Sequence, residues 1–355
     1  MMFKDKTILV TGGTGSMGKK LVHRLLAGEL GTPKKVIVLS RDEAKQHDMR
    51  MSYLNRRVTT DEVIFNNFLN VLEFRIGDVR SYEDVCSAVK GADIVINAAA
   101  LKQVPTCEYF PVQAVMTNCL GAYNVVRAIE ERQYAVETVV GISTDKACKP
   151  VNVMGMTKAV QERVFVAANI LNPHTRFVCV RYGNVLASRG SVIPLFHDQI
   201  RNGGPVTITS PEMTRFLLSL DDAVDTVFAA LKEAKRGETY VPRAPSATVM
   251  NVARALIGDR TIDLQTIGVR PGEKLHEILI SEEEVHHCVR RGGYYAIQPM
   301  LPELRQGGRA EQNALEKEYS SADDVLDLPD TIALLKKHRL MVDEADLGDQ
   351  PELLR

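Results

Sequence analysis

The chain reads as an α/β protein, a doubly wound parallel sheet with a smaller C-terminal lobe, and three observations predict it. Short β-branched runs alternate with longer amphipathic ones through the first half, the pattern of successive βαβ units. A glycine loop, Thr11-Gly12-Gly13-Thr14-Gly15-Ser16-Met17-Gly18, stands directly between the first such run and the amphipathic stretch Lys19 to Leu26. After Tyr182 the alternation loosens into turns and separate helical patterns, as a second lobe requires.

In chain order, the candidate strands are Thr7 to Val10, Val36 to Leu39, Leu72 to Arg75, Ile94 to Asn97, Thr138 to Ile142 and Phe177 to Val180. Each is short, rich in β-branched residues and bounded by polar residues or glycine, as strands covered on both faces are. Right-handed crossovers between them place ligands at the carboxyl ends of the strands. The link Asp42 to Val71 is too long for a structureless loop and predicts a helix with an extension, either packed on the sheet or used as a contact between copies. Beyond Tyr182, Gly203-Gly204-Pro205 and Pro211 mark turns, while Leu220 to Lys232 and Ala247 to Ile257 have the period of amphipathic helices. Pro302 to Glu318, poor in apolar residues, predicts an exposed excursion, and Asp343 to Arg355 a loosely docked end. The expected division is a dinucleotide-binding domain over 1–182, to which some later segments return, a lobe mainly over 183–300 that binds substrate, and a C-terminal extension over 301–355.

Composition narrows the partners. With 44 basic and 45 acidic residues the net charge is -1, which points to neither nucleic acid nor an anionic membrane surface. Small molecules and other copies of the chain, as a homo-oligomer, are the expected partners. Six scattered cysteines without a C-x-x-C pair read as reduced thiols of a cytoplasmic protein and give no metal-ligand spacing. The N-terminal residues run into a strand without an apolar signal core, and no stretch reaches the ~18 uninterrupted apolar residues of a membrane helix. A soluble chain is expected.

The glycine loop has the Rossmann form. Gly12, Gly15 and Gly18 allow a tight turn, close backbone approach to a pyrophosphate and close packing of helix on strand, with Thr14, Ser16 and Met17 lining the anion's approach to the helix N-terminus. The second strand ends Ser40-Arg41-Asp42, with serine where an NAD-preferring site places an acid and arginine beside it. Arginine can clamp a 2′-phosphate, so NADP is the expected cofactor, with Lys45 as a second contact. Asp42 is the counter-argument: turned to the ribose, it would select NAD. Asp78 and Val79 after the third strand could hold the adenine, and Ala98 and Ala99 offer small residues where backbone passes close to the ribose. Plain sheet packing would explain either pair equally well.

Nicotinamide enzymes of the short-chain type set a tyrosine and a lysine four residues apart on one helix face, so that the ammonium lowers the phenol's pKa. Here the corresponding pair is Met154 and Lys158, and a thioether cannot accept a proton from an alcohol. The adjacent Asp145 and Lys146, at the carboxyl end of the fifth strand, can divide a reaction into proton-donating and proton-accepting roles if burial shifts their pKa values toward neutrality. The alternative is a strand-end ion pair with little effect.

Several segments carry a resemblance: Ala99-Ala100-Leu101-Lys102-Gln103-Val104-Pro105, Thr117-Asn118-Cys119-Leu120-Gly121, Ser143-Thr144-Asp145-Lys146-Ala147, Asn152-Val153-Met154-Gly155-Met156-Thr157-Lys158 and Arg181-Tyr182-Gly183-Asn184-Val185. Together they resemble the UDP-N-acetylglucosamine 4,6-dehydratases, extended short-chain dehydrogenase/reductases of bacterial surface-polysaccharide synthesis. Arg270-Pro271-Gly272-Glu273-Lys274-Leu275-His276-Glu277 and Gly293-Tyr294-Tyr295 extend the similarity toward the 5-inverting, capsular members. The resemblance implies a redox-neutral cycle on a UDP-sugar, with tightly bound NADP holding hydride between its removal from C4 and its return to C6. Lys146 would remove the C5 proton and Asp145 would protonate the departing C6 hydroxyl. The C4 hydroxyl would lose its proton to Asp145, to Lys146 or to a water held by Thr144, with Asp145 the preferred choice, and Lys102 is placed at return of the C5 proton. Asn118 and Lys158 join the cofactor set, and Asn184, Val192, Arg215, Arg270 and Glu273 the nucleotide-sugar set. A 4-epimerase of the same fold, or a catalytically idle NADP-binding sensor or scaffold, are the competing expectations.

Overall fold

The computed structural model describes residues 1–55, 62–186, 191–269, 272–305 and 312–343. The six expected strands form with small changes at their ends: β1 (Thr7–Thr11), β2 (Lys35–Ser40), β3 (Leu72–Ile76), β4 (Ile94–Asn97), β5 (Thr138–Ile142) and β6 (Arg176–Val180). They pair in parallel in the order β6-β5-β4-β1-β2-β3. The reversal on either side of β1 is what makes the sheet doubly wound. Strands β4 and β5 are buried along their whole length, which is why they read as continuous apolar runs.

Among the described residues the sheet has nine strands, three more than expected. Thr239–Pro242 lies parallel to β6, Tyr294–Ile297 antiparallel to it, and Cys288–Arg291 antiparallel again at the edge. The chain accordingly divides into two units. The first holds 1–183, 220–243 and 278–319, the second 184–219, 244–277 and 320–355. Thr239–Pro242 joins the sheet through β6, and Tyr294–Ile297 joins through Thr239–Pro242, so these later segments return to the first unit.

Helices α1 (Ser16–Leu26), α2 (Glu43–Leu54), α3 (Glu62–Val71) and α4 (Tyr82–Val89) follow the first three strands. The link after β2 is thus two helices, the first capped by Asp42, whose Oδ1 accepts from Lys45 N at 3.0 Å. Short helices α5 (Val104–Tyr109) and α6 (Pro111–Ala114) lead into one π-helical turn, Val115–Leu120, and then α7 (Gly121–Arg132). Helix α8 (Val153–Leu171) follows β5, with Phe165 packed on the core beside Val139 and Phe177.

The second unit has its own core, with Ile193, Phe196, Val252, Leu256 and Leu335 buried together. Leu220–Glu233 is helical as expected and belongs to the first unit. Ala247 to Ile257 differs from expectation: Ser246–Thr248 is a strand, and the helix starts at Val249 because the Thr248 side chain caps it, accepting from Asn251 N at 3.0 Å. The stretch expected as an excursion is tied at several points, with a 3₁₀ turn at Pro302–Leu304 and Glu318 paired to Lys149 at 2.7 Å. Of the expected loose end, only Asp343 lies within the described residues. No described helix is long and apolar enough to cross a membrane.

Candidate active site

The glycine loop turns directly off β1. Gly12 has φ +66°, and a Cβ there would stand 2.7 Å from Ala99 Cα; a Cβ at Gly18 would stand 2.5 Å from Gly13 Cα. Those two glycines are demanded by the protein's own packing. Gly15 is different, because it is exposed and a Cβ on it would meet only the Gly12 carbonyl at 3.4 Å. Nothing within the chain requires glycine there, whereas a pyrophosphate approaching the N-terminus of α1 does, so the cradle fits a dinucleotide. Thr14 is buried with its hydroxyl 2.9 Å from Ser40 Oγ, which joins the loop to the end of β2, while Ser16 and Met17 open α1 half-buried.

At that end of β2 the cap on α2 occupies Asp42, whose Oδ2 also lies 2.7 Å from Lys45 Nζ. The carboxyl is held below its ordinary range, first by the Lys45 side chain and then by the Lys45 backbone N–H. Arg41 extends further into solvent, 3.8 Å from Asp78. Asp78 is engaged by Arg80 at 2.7 Å, Val79 is buried in the core, and Ala98 and Ala99 hang on Thr11 through their N–H groups. For Val79 the packing explanation is the one the structure supports.

Asn118 sits in the π-helical turn and spends its amide on the protein. Its Oδ1 accepts from Leu101 N at 2.9 Å, and its Nδ2 donates to Leu101 O and Thr157 Oγ1 at 3.0 Å. It thereby fixes the segment after β4 that leads to the exposed Lys102. These side-chain bonds are made to protein, and they order the segment beside the expected cofactor path. π-helical turns of this kind are common at functional sites.

At the carboxyl end of β5, the Asp145 N–H donates to Tyr182 O at 3.0 Å, which fixes the strand end against the residues following β6. Asp145 is fully buried. Its Oδ1 accepts from Thr144 Oγ1 at 2.8 Å and from Lys146 Nζ at 3.0 Å, while its Oδ2 is buried without a hydrogen-bond partner among the described residues. An orphaned buried carboxylate oxygen is costly and calls for a bound group to satisfy it. The Lys146 side chain is partly exposed, so the pair has one buried and one accessible member.

Met154 opens the first turn of α8. It is buried with Cys107 and Ala114 in a small apolar cluster bordered by Leu101, Val104 and Val153. The thioether is thus packed among apolar side chains, in keeping with its inability to take a proton. Lys158, one turn on, is buried, and its ammonium donates to the Ile142 carbonyl and to Gln161 Oε1 at 2.8 Å. Burial pushes it down to about 8, against the raising influence of Cys179, Glu162 and Cys119.

A neighbouring buried cluster escaped sequence reasoning. Arg181 donates to Glu162 Oε2 at 2.6 Å and to Glu284 Oε2 at 2.7 Å, and Ser143 Oγ donates to Glu162 Oε1 at 2.5 Å. Burial opposes charge, yet the two carboxylates hold the guanidinium well above its ordinary range. The available signal was Glu162 standing four residues after Lys158, on the same helix face.

In the second unit, Arg215 NH1 donates to Thr214 O at 2.8 Å and Leu275 O at 3.2 Å, with its Nε 3.8 Å from Glu277. Glu273 Oε2 is buried with no hydrogen-bond partner among the described residues. The carbonyl of Asn184 accepts from Leu218 N, Val192 opens the helix Val192–Arg201, and Arg270 lies outside the described residues.

The sheet and its glycine cradle define a Rossmann-type, doubly wound α/β fold. The same fold occurs in DesIV, a dTDP-glucose 4,6-dehydratase from Streptomyces venezuelae, at TM-score 0.64 and 22% identity over 76% of this chain and 86% of that one. Within that fold the chain belongs to the polysaccharide biosynthesis protein family, which it matches over residues 8–299. It is 44% identical to the UDP-glucose 4-epimerase of Rickettsia prowazekii, over 83% of this chain and 84% of the relative. It is also similar to the structure of Pen from Bacillus thuringiensis, at TM-score 0.84 and 32% identity, covering 96% of this chain and all (100%) of that one.

Proposed function

We propose that the chain removes water from UDP-N-acetylglucosamine, giving a UDP-2-acetamido-2,6-dideoxy-4-hexulose with inversion at C5, as a step in bacterial surface-glycan synthesis. The observation that carries this reading is the strand-end pair: one buried oxygen of Asp145 has no hydrogen-bond partner among the described residues, and Lys146 lies 3.0 Å from the other. A bound NADP would supply a hydride acceptor for C4 and a hydride donor for C6. Asp145 accepts the C4 hydroxyl proton and is then the protonated acid needed where the C6 hydroxyl departs. Lys146 takes the C5 proton, which the C4 ketone acidifies. Thr144 orients Asp145, and Lys102 assists return of the C5 proton. Holding these groups against one sugar ring supplies much of the rate. Arg215, Arg270, Asn184, Val192 and Glu273 are assigned to the nucleotide sugar. NADP is favoured over NAD because the cap on α2 occupies Asp42, leaving Arg41 as the charged side chain facing a ribose phosphate.

One observation favours a second reading. The Rickettsia prowazekii relative is named UDP-glucose 4-epimerase, and inversion at C4 needs a base at C4 but no acid at C6. Incubating the purified protein with UDP-N-acetylglucosamine and with UDP-glucose, followed by mass spectrometry and proton NMR of the sugar ring, separates the two. A product lighter by one water supports dehydration, and an isomer of unchanged mass from either sugar replaces it with epimerisation.

A further inference from the structure

We infer that Glu162 is a positioning residue, held by Arg181 and Glu284, which sets the strand end carrying Asp145 and Lys146 through the hydroxyl of Ser143. The inference rests on those two residues being the reacting pair. The chain of contacts is continuous. Glu284, in the short helix Glu282–Val285, grips Arg181 through two bonds of 2.7 and 2.9 Å, and Arg181 also donates to Leu279 O at 2.9 Å. Arg181 grips Glu162 through two more, at 3.0 and 2.6 Å, and Glu162 accepts from Ser143 at 2.5 Å. Ser143 is two residues before Asp145, and its own N–H donates to Val180 O at 2.7 Å.

Every member is buried, with Ser143 3%, Glu162 4%, Arg181 2% and Glu284 6% exposed. Apolar side chains would fill the same space without the cost of desolvating three charges. What the charges add is direction. The planar guanidinium fixes both carboxylates bidentately, and the fixed Glu162 carboxylate leaves one orientation for the Ser143 hydroxyl. Errors of an ångström at a reacting group are expensive, so a rigid anchor two residues from Asp145 acts on rate more than on substrate binding.

The test uses full-length Ser143→Ala and Glu162→Gln, their double variant, and steady-state kinetics on UDP-N-acetylglucosamine and UDP-glucose. Hydrogen exchange over 143–147 is followed in parallel. Ser143→Ala is expected to lower kcat roughly 10- to 100-fold with KM within about twofold. Exchange over 143–147 should rise while that of the glycine loop stays unchanged. The double variant should be no worse than Glu162→Gln alone, since both changes cut one link. Unchanged kcat and exchange in Ser143→Ala, or a loss confined to KM, would overturn the inference. If Glu162→Gln does not fold, Ser143→Ala decides by itself. Wild-type protein that converts neither sugar overturns the functional reading, and the exchange result then decides the anchor separately.

Discussion

In the proposed cycle the proton transfers centre on Asp145, a buried carboxylate with one oxygen hydrogen-bonded and the other without a partner among the described residues. Replacing Asp145 by asparagine keeps its shape and removes its proton affinity. Asp145→Asn should therefore still bind dinucleotide, measured by fluorescence titration, yet form no keto-sugar; wild-type turnover in this variant would remove the carboxylate from the mechanism. Lys158 gives a prediction of a different kind. Its pKa falls from 10.5 in the unfolded chain to about 8 in the folded one, so below about 8 it is charged in both states and the burial penalty is fully present. As pH rises from about 8 toward 10.5 the folded protein sheds that proton first, and stability increases. Urea midpoints of wild type minus those of Lys158→Met should rise across that window, and a flat or falling difference would contradict the assignment.

At the scale of the element, helix α8 carries the tightest constraint. Asn152 caps it, accepting from Gly155 N at 2.8 Å, and at Gly155 the helix passes so close to the turn after β5 that a Cβ would stand 2.1 Å from the Lys146 carbonyl oxygen. That atom is backbone, so the turn itself must yield. Gly155→Ala should cost about 1–3 kcal/mol in urea unfolding and lower turnover further than stability alone explains, because it displaces Lys146. Normal turnover at reduced stability would show that Lys146 tolerates the shift. This approach was not legible in the sequence, where Gly155 is one small residue in a helical stretch. Strands β1 to β6 were legible, since burial on both faces leaves a run of β-branched residues that no other element shares. Thr239–Pro242 and the pair Cys288–Arg291 and Tyr294–Ile297 were not, because proline, arginine and tyrosine dilute the signal and their partners are distant in sequence. The strand-end pair was marked by its motif. Its supports, Glu162 and Glu284, are charged residues that look solvated until the fold buries them.

On the scale of the molecule, the first unit is discontinuous, and that has an energetic consequence. Strand β6 needs Thr239–Pro242 beside it, and Arg181 needs Glu284, more than one hundred residues further on (|i−j| = 103). A chain ended after Gly183 would expose a sheet edge and leave a buried guanidinium with one of its two carboxylates. Such a fragment should show no cooperative unfolding transition by circular dichroism and bind no dinucleotide. A cooperative transition with intact binding would mean that the returning segments are ornamental to the first unit.

The apolar cluster around Met154 bears on what that position can accept. Placing a tyrosine there looks like a one-step route to the tyrosine and lysine pair of simple alcohol oxidation. Yet the side chain there is enclosed by Cys107 and Ala114 and bordered by Leu101, Val104 and Val153, so a phenol would enter a space already filled. Met154→Tyr alone should therefore lose stability in urea unfolding, and trimming a bordering side chain such as Leu101 alongside it should recover part of that loss.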